Sequence, residues 1–139
     1  MIQVFNRSYY EDILVPSVEG TYSQEIIEHR YKLIDAVEHH LNINNIHVLK
    51  FFLHISREEQ AERIAERKTL PHKKWKYDNA DEISDAKWHK YRQTYEKLLN
   101  DCCDNPWHII PADKRWYRNE QVAIILRDHL KSLNLKYPV

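Results

Sequence analysis

The densest group of chemistry-capable side chains in this sequence lies between Arg63 and Lys76. Arg63, Arg67, Lys68, Lys73, Lys74 and Lys76 stand against a single acid, Glu66, a local excess of five positive charges. Arg63 and Arg67 are four apart, so a helix would set them on one face. Guanidinium forks bind phosphate oxygens in pairs and lysines act as mobile point charges, so the group suits a polyanion. A solvated basic helix and turn has the same composition. A second group, Phe5-Asn6-Arg7-Ser8, follows a short apolar stretch. Ligands of α/β sheets sit beyond the carboxyl ends of strands. Asn6 there could orient a metal-bound water and Arg7 could hold a phosphate; Asn and Ser are equally at home in turns and caps. A third group, Tyr9-Tyr10-Glu11-Asp12, offers paired acids of the kind that hold Mg²⁺ through water. Acids are also favoured at an ordinary helix N-terminus.

Strands and helices must position these residues. Residues 2–5 read as a short strand. Residues 9–19 are mixed, with Pro16 arguing against a long regular element. From 23 to 41 the pattern is helical: Ile27, Ile34, Val37 and Leu41 fall near one face, with Glu28, Lys32 and Glu38 among the polar positions. Residues 47–55 form a nearly continuous apolar run, expected to be a strand buried on both faces. Ser56-Arg-Glu-Glu59 is a capping box, which starts a helix running to about residue 68 and stopping before Pro71. A further helix is expected over 84–103, with Trp88, Tyr91, Tyr95 and Leu98 on one face. Residues 107–110 read as a strand. A last helix is expected over 119–133, with Val122, Ile125, Leu126, Leu130 and Leu133 inward. Strands alternating with helices indicate parallel βαβ connections, about three strands packed with about four helices in a single domain, 1–139.

Composition excludes several classes. Lys+Arg and Asp+Glu balance at 21 each, which argues against a general nucleic-acid or membrane-surface binder. No apolar run approaches the roughly 20 residues of a membrane span, and the first residues lack the apolar core of a signal peptide; a cytoplasmic protein is expected. The nine histidines carry no metal-ligand spacing. Cys102 and Cys103 are adjacent and staple nothing distant; two small residues near a helix end are the expectation. Glycine is the most informative count. There is one, Gly20. A Walker loop, G-x-x-x-x-G-K-[ST], needs two and a dinucleotide fingerprint three, so neither exists within these residues.

Four stretches, taken in order, resemble one family: FNRSYYEDILV, RYKLIDAVEHHL, LKFFLHISREEQAERIAERKTLPHKKWKYDNAD and WHIIPADKRWYRNEQVAIIL. They are similar to the polyphosphate kinase 2 family, from Val4 to about Leu133, and LKFFLHISREEQ, PHKKWK and IPADKRWYRN are the most specific parts. The resemblance implies an α/β P-loop kinase fold of the thymidylate-kinase-like type, here incomplete. It implies phosphoryl transfer between polyphosphate and a nucleotide, AMP or ADP, with Mg²⁺. Asn6, Arg7 and Glu11 carry over as catalytic residues, and Asn6 stands where many members have Asp. Arg63, Arg67, Lys73 and Lys76 carry over as residues binding polyphosphate or nucleotide, in a lid at about 56–80. No metal-ligating residue carries over.

Family members begin with a strand, a glycine-rich phosphate loop with its lysine, a helix and another strand, all of which would lie before Met1. Ser17 stands where a basic residue is common. The expectation is therefore a portion that is catalytically incomplete alone, since phosphoryl transfer rests on such positioning and electrostatics. The partners to expect are polyphosphate and a nucleotide, together with a further copy of the chain or a chain that carries the glycine loop. The alternative is a non-enzymatic module that binds polyphosphate or nucleotide.

Overall fold

The computed structural model describes residues 1–78, 86–101 and 105–136. Ser84, Cys102 and Cys103 lie outside them. The described elements are five α-helices, α1 (Glu11–Glu19), α2 (Gln24–Ile43), α3 (Arg57–Thr69), α4 (Trp88–Asn100) and α5 (Arg115–Ser132), with strands β1 (Lys50–His54) and β2 (Trp107–Pro111). The strands pair in one parallel sheet. The chain groups into two compact units, Met1–Lys50 with Asp78–Trp107, and Phe51–Tyr77 with His108–Val139.

The first unit is built on α1, α2 and α4. Its core joins Tyr10, Ile13, Ile27, Ile34 and Leu98, with Tyr31 and Trp107 packed against them. Residues 2–5 form no strand: they have no regular secondary structure and are exposed, with Val4 at 90% and Phe5 at 79%. A strand exists only through a hydrogen-bonded neighbour, and an alternating apolar sequence does not supply one. Residues 11–19, read as mixed because of Pro16, are helical. Pro16 lacks the N–H that would bond the carbonyl of Asp12. The Arg30 guanidinium takes that bond instead, donating from Nη1 to the Asp12 carbonyl at 2.6 Å. Gly20 ends the helix at φ +69°, and its N–H donates to the Pro16 carbonyl at 2.8 Å. That left-handed geometry is where glycine costs least.

On α2 the inward face is rotated from the expected one. Ile27 and Ile34 are buried as anticipated, but Val37 is 45% exposed and Glu38 is fully buried. Hydrophobic spacing alone cannot anticipate a carboxylate whose partners arrive from distant segments. Ser23 caps the helix, accepting from the Ile26 N–H.

In the second unit, which β1 enters at Phe51, the strand is more open than its apolar run suggested, and Leu53 and His54 are exposed. Two strands were found among the described residues where about three were anticipated. Ser56 caps α3, with its hydroxyl accepting from the Glu59 N–H at 3.1 Å. Glu59 does not make the reciprocal half of the capping box. Asp113 supplies it, accepting from the Ser56 N–H at 2.8 Å, while Glu59 turns to Arg63. The helix stops at Thr69, before Pro71, as the sequence indicated. α5 starts four residues earlier than anticipated, at Arg115. Its inward residues Val122, Ile125, Leu126, Leu130 and Leu133 are only half-covered.

Candidate functional site

Each group of candidate residues is built within its own unit. In the first unit, Asn6 and Arg7 lie in the exposed turn ahead of α1 and Glu11 opens that helix. Arg7 has φ +86°, a region that side-chained residues seldom occupy. Its Nη1 lies 3.4 Å from Glu11 Oε2. The turn is tied down by backbone bonds from Glu11 N–H to the Ser8 carbonyl and from Asp12 N–H to that of Tyr9. Glu11 and Asp12 thus sit in the first turn of a helix, the ordinary place for acids.

Behind this turn Tyr9 and Tyr10 anchor it to a buried carboxylate. Glu38 Oε1 accepts from the Tyr9 hydroxyl at 2.7 Å and the Tyr10 hydroxyl at 2.8 Å. Its Oε2 accepts from Lys50 Nζ at 2.8 Å and Asn105 Nδ2 at 3.2 Å. The Lys50 ammonium also donates to the Tyr10 hydroxyl at 2.8 Å and lies 5.3 Å from the centre of the Trp107 ring. Burial pushes the Glu38 carboxyl upward, but the hydrogen bonds from Lys50, Tyr9, Tyr10 and Asn105 outweigh it and hold the group below its ordinary value. The sequence reading missed this cluster. The signal available was slight: one lysine inside the apolar run 47–55, and Glu38 as one of three glutamates on the helix before it.

In the second unit the basic segment is more ordered than a solvated helix and turn. Arg63 Nε donates to Glu59 at 2.7 Å, and its Nη2 donates to the Ala112 carbonyl at 2.9 Å and that of Asp113 at 3.4 Å. Arg63 therefore braces α3 against the chain leaving β2. Asp113 completes the brace; the Ser56 backbone bond holds its carboxyl below the usual range. Arg67 sits half-buried in the last turn of α3. After Pro71 a 3-10 turn, Lys74–Lys76, carries the lysines. Lys73 Nζ lies 2.5 Å from Glu66 Oε2, and Lys76 Nζ lies 4.9 Å from the centre of the exposed Trp75 ring. The Lys73 bond, with the charges of Lys73, Arg115 and Arg63, holds the Glu66 carboxyl below its ordinary value. Glu66 and Arg115 were not singled out from the sequence. Glu66 was visible there as the one acid among six cations.

The family model described as Polyphosphate kinase 2 matches residues 1–138. The chain belongs to the polyphosphate kinase 2 family. It is 40% identical over 137 residues to the AMP/ADP-polyphosphate phosphotransferase of Meiothermus ruber, covering 97% of this chain and 51% of that protein. It is 34% identical over 151 residues to the ADP-polyphosphate phosphotransferase of Rhodopseudomonas palustris, covering 99% of this chain and 52% of that one. The polyphosphate kinase 2 crystal structure from Arthrobacter aurescens superposes with a TM-score of 0.89 at 35% identity, over 96% of this chain and 48% of that chain. The chain thus spans about half the length of these two phosphotransferases. Among the described residues no helix is long and apolar enough to cross a membrane.

Proposed function

We propose that these residues form the lid-bearing portion of a polyphosphate-dependent nucleotide phosphotransferase of P-loop kinase type, acting on AMP or ADP. The supporting observation is the 40% identity, over nearly the whole chain, to a protein named for that activity. In this reading Arg67, Lys73 and Lys76 take phosphate oxygens, and Arg63 binds while also holding the lid helix in place. Asn6, Arg7 and Glu11 serve the reacting end. Mg²⁺ is held in such chemistry by one or two carboxylates together with substrate phosphates. The described residues contain no group of three or more metal-ligating side chains, and Glu11, partly exposed at the start of α1, offers one carboxylate. The ion would neutralise charge developing on the transferred group.

A glycine-rich loop cannot come from within these 139 residues, which hold one glycine, already used to end α1. The portion alone is therefore expected not to turn over. The test is an assay with polyphosphate, Mg²⁺ and AMP or ADP, alone and mixed with a chain that carries the glycine loop. Robust turnover by the 139 residues alone would overturn incompleteness. A pure binding module instead predicts salt-dependent polyphosphate affinity, lost on Arg67→Ala and Lys73→Ala, with no turnover in either mixture.

A further inference from the structure

The geometry points to Glu66 as an internal stand-in for a phosphate, a carboxylate that occupies Lys73 until a polyanion displaces it. The inference rests on the proposed reading of this segment as a polyphosphate lid. Glu66 is the one acid between Arg63 and Lys76, and it does not face solvent alone. Lys73 reaches back across the Pro71 break to bond it at 2.5 Å, with the two side chains 26% and 37% exposed. Arg115 and Arg63 add their fields to the same carboxylate. An anion is therefore already seated among cations brought from α3, the turn after it and the start of α5.

Seating has a consequence for binding. An anion that uses Lys73 either displaces Glu66 or shares the ammonium beside a like charge, so a cost falls on every such ligand. An anion that contacts one cation exchanges one ion pair for another and gains little. A chain of phosphates contacts several cations and loses only one pair. Glu66 then keeps small anions off the lid while polyphosphate still binds.

The test uses the whole chain and inorganic tripolyphosphate, titrated by calorimetry. Glu66→Gln is expected to tighten binding about two- to fivefold, the range of a partly exposed ion pair. Glu62→Gln removes the same charge from an exposed position on the same helix and is expected to change affinity less. In a Lys73→Ala background the gain from Glu66→Gln should vanish. In the unaltered chain, the Glu66 carboxyl carbon resonance should move on adding tripolyphosphate while that of Glu62 stays. Equal gains from Glu66→Gln and Glu62→Gln, a gain that survives Lys73→Ala, or a Glu66 resonance unmoved at saturation would each overturn the inference and leave the polyphosphate reading standing. If neither the unaltered chain nor Glu66→Gln binds tripolyphosphate, the lid reading fails and the inference with it.

Discussion

Lys50 Nζ lies 2.8 Å from Glu38 Oε2, with the two side chains at 5% and 0% exposure. A pair this far from water is sensitive to losing one member, because the other is left charged and unpaired. Glu38→Ala is expected to destabilise the first unit by about 3–5 kcal/mol. Glu38→Leu combined with Lys50→Met should cost much less than either change alone. Urea unfolding of the single and double variants measures both. A double variant as unstable as the sum of the singles would refute this account of the pair.

The same carboxylate predicts a pH dependence. Hydrogen bonds hold Glu38 below its ordinary value of 4.5. A depressed folded-state value means that the unfolded chain binds the proton more readily, so stability rises with pH through this window. The contribution is complete above the ordinary value and is lost as pH falls through the lower folded one. Unfolding free energies from pH 6 down toward pH 3 (a window of roughly three units set by the ordinary carboxylate range) should fall more steeply for the unaltered chain than for Glu38→Gln. Parallel curves would show that Glu38 does not carry the effect.

Gly20 predicts a backbone cost without a steric one. A Cβ there would meet nothing within 4 Å, yet φ is +69°. Gly20→Ala should therefore lower stability by about 1 kcal/mol, and Gly20→Asn by less, since Asn tolerates the left-handed region. Thermal melts of the two variants would separate them. Equal losses would mean that the side chain, not the backbone angle, sets the cost.

Arg63 predicts a loss that charge retention does not repair. Its fork reaches Glu59 and two carbonyls, Ala112 and Asp113. Lysine keeps the charge but cannot span those acceptors together. Arg63→Lys is expected to cost about 1–2 kcal/mol in denaturant unfolding, from hydrogen bonds worth about 1 kcal/mol each. A lysine variant as stable as the parent would show that Arg63 does not brace α3.

The parts legible in the sequence were those decided locally. The Ser56 cap, the stop before Pro71, strand β2 and the apolar face of α4 each depend on residues within a turn or two, and each is where its pattern placed it. Residues 2–5 failed as a strand because strand formation is settled by a partner. Residues 11–19 succeeded as a helix despite Pro16 because Arg30, eighteen positions on from Asp12, supplies the missing donor. Glu38 looked polar and exposed because its partners Tyr9, Tyr10, Lys50 and Asn105 come from distant segments. At the candidate site the cations were visible by type and spacing. Their division of labour was not, since it depends on which acid or carbonyl each one meets.

Arg7 bears on how this sequence can drift. The chain spends its one glycine at residue 20, so the positive φ angles at Arg7, Asn45 and Asn134 fall to residues with side chains. Two of the three are asparagines, the next cheapest choice. Arginine at 7 is the expensive exception, at about 1 kcal/mol or more of backbone strain. Arg7→Gly should accordingly raise the melting temperature while removing a candidate catalytic charge. A population selected for folding alone would find that substitution easily. An arginine held at this angle is a stability debt, and its persistence or loss among descendants of this sequence would record whether the turn still answers to chemistry.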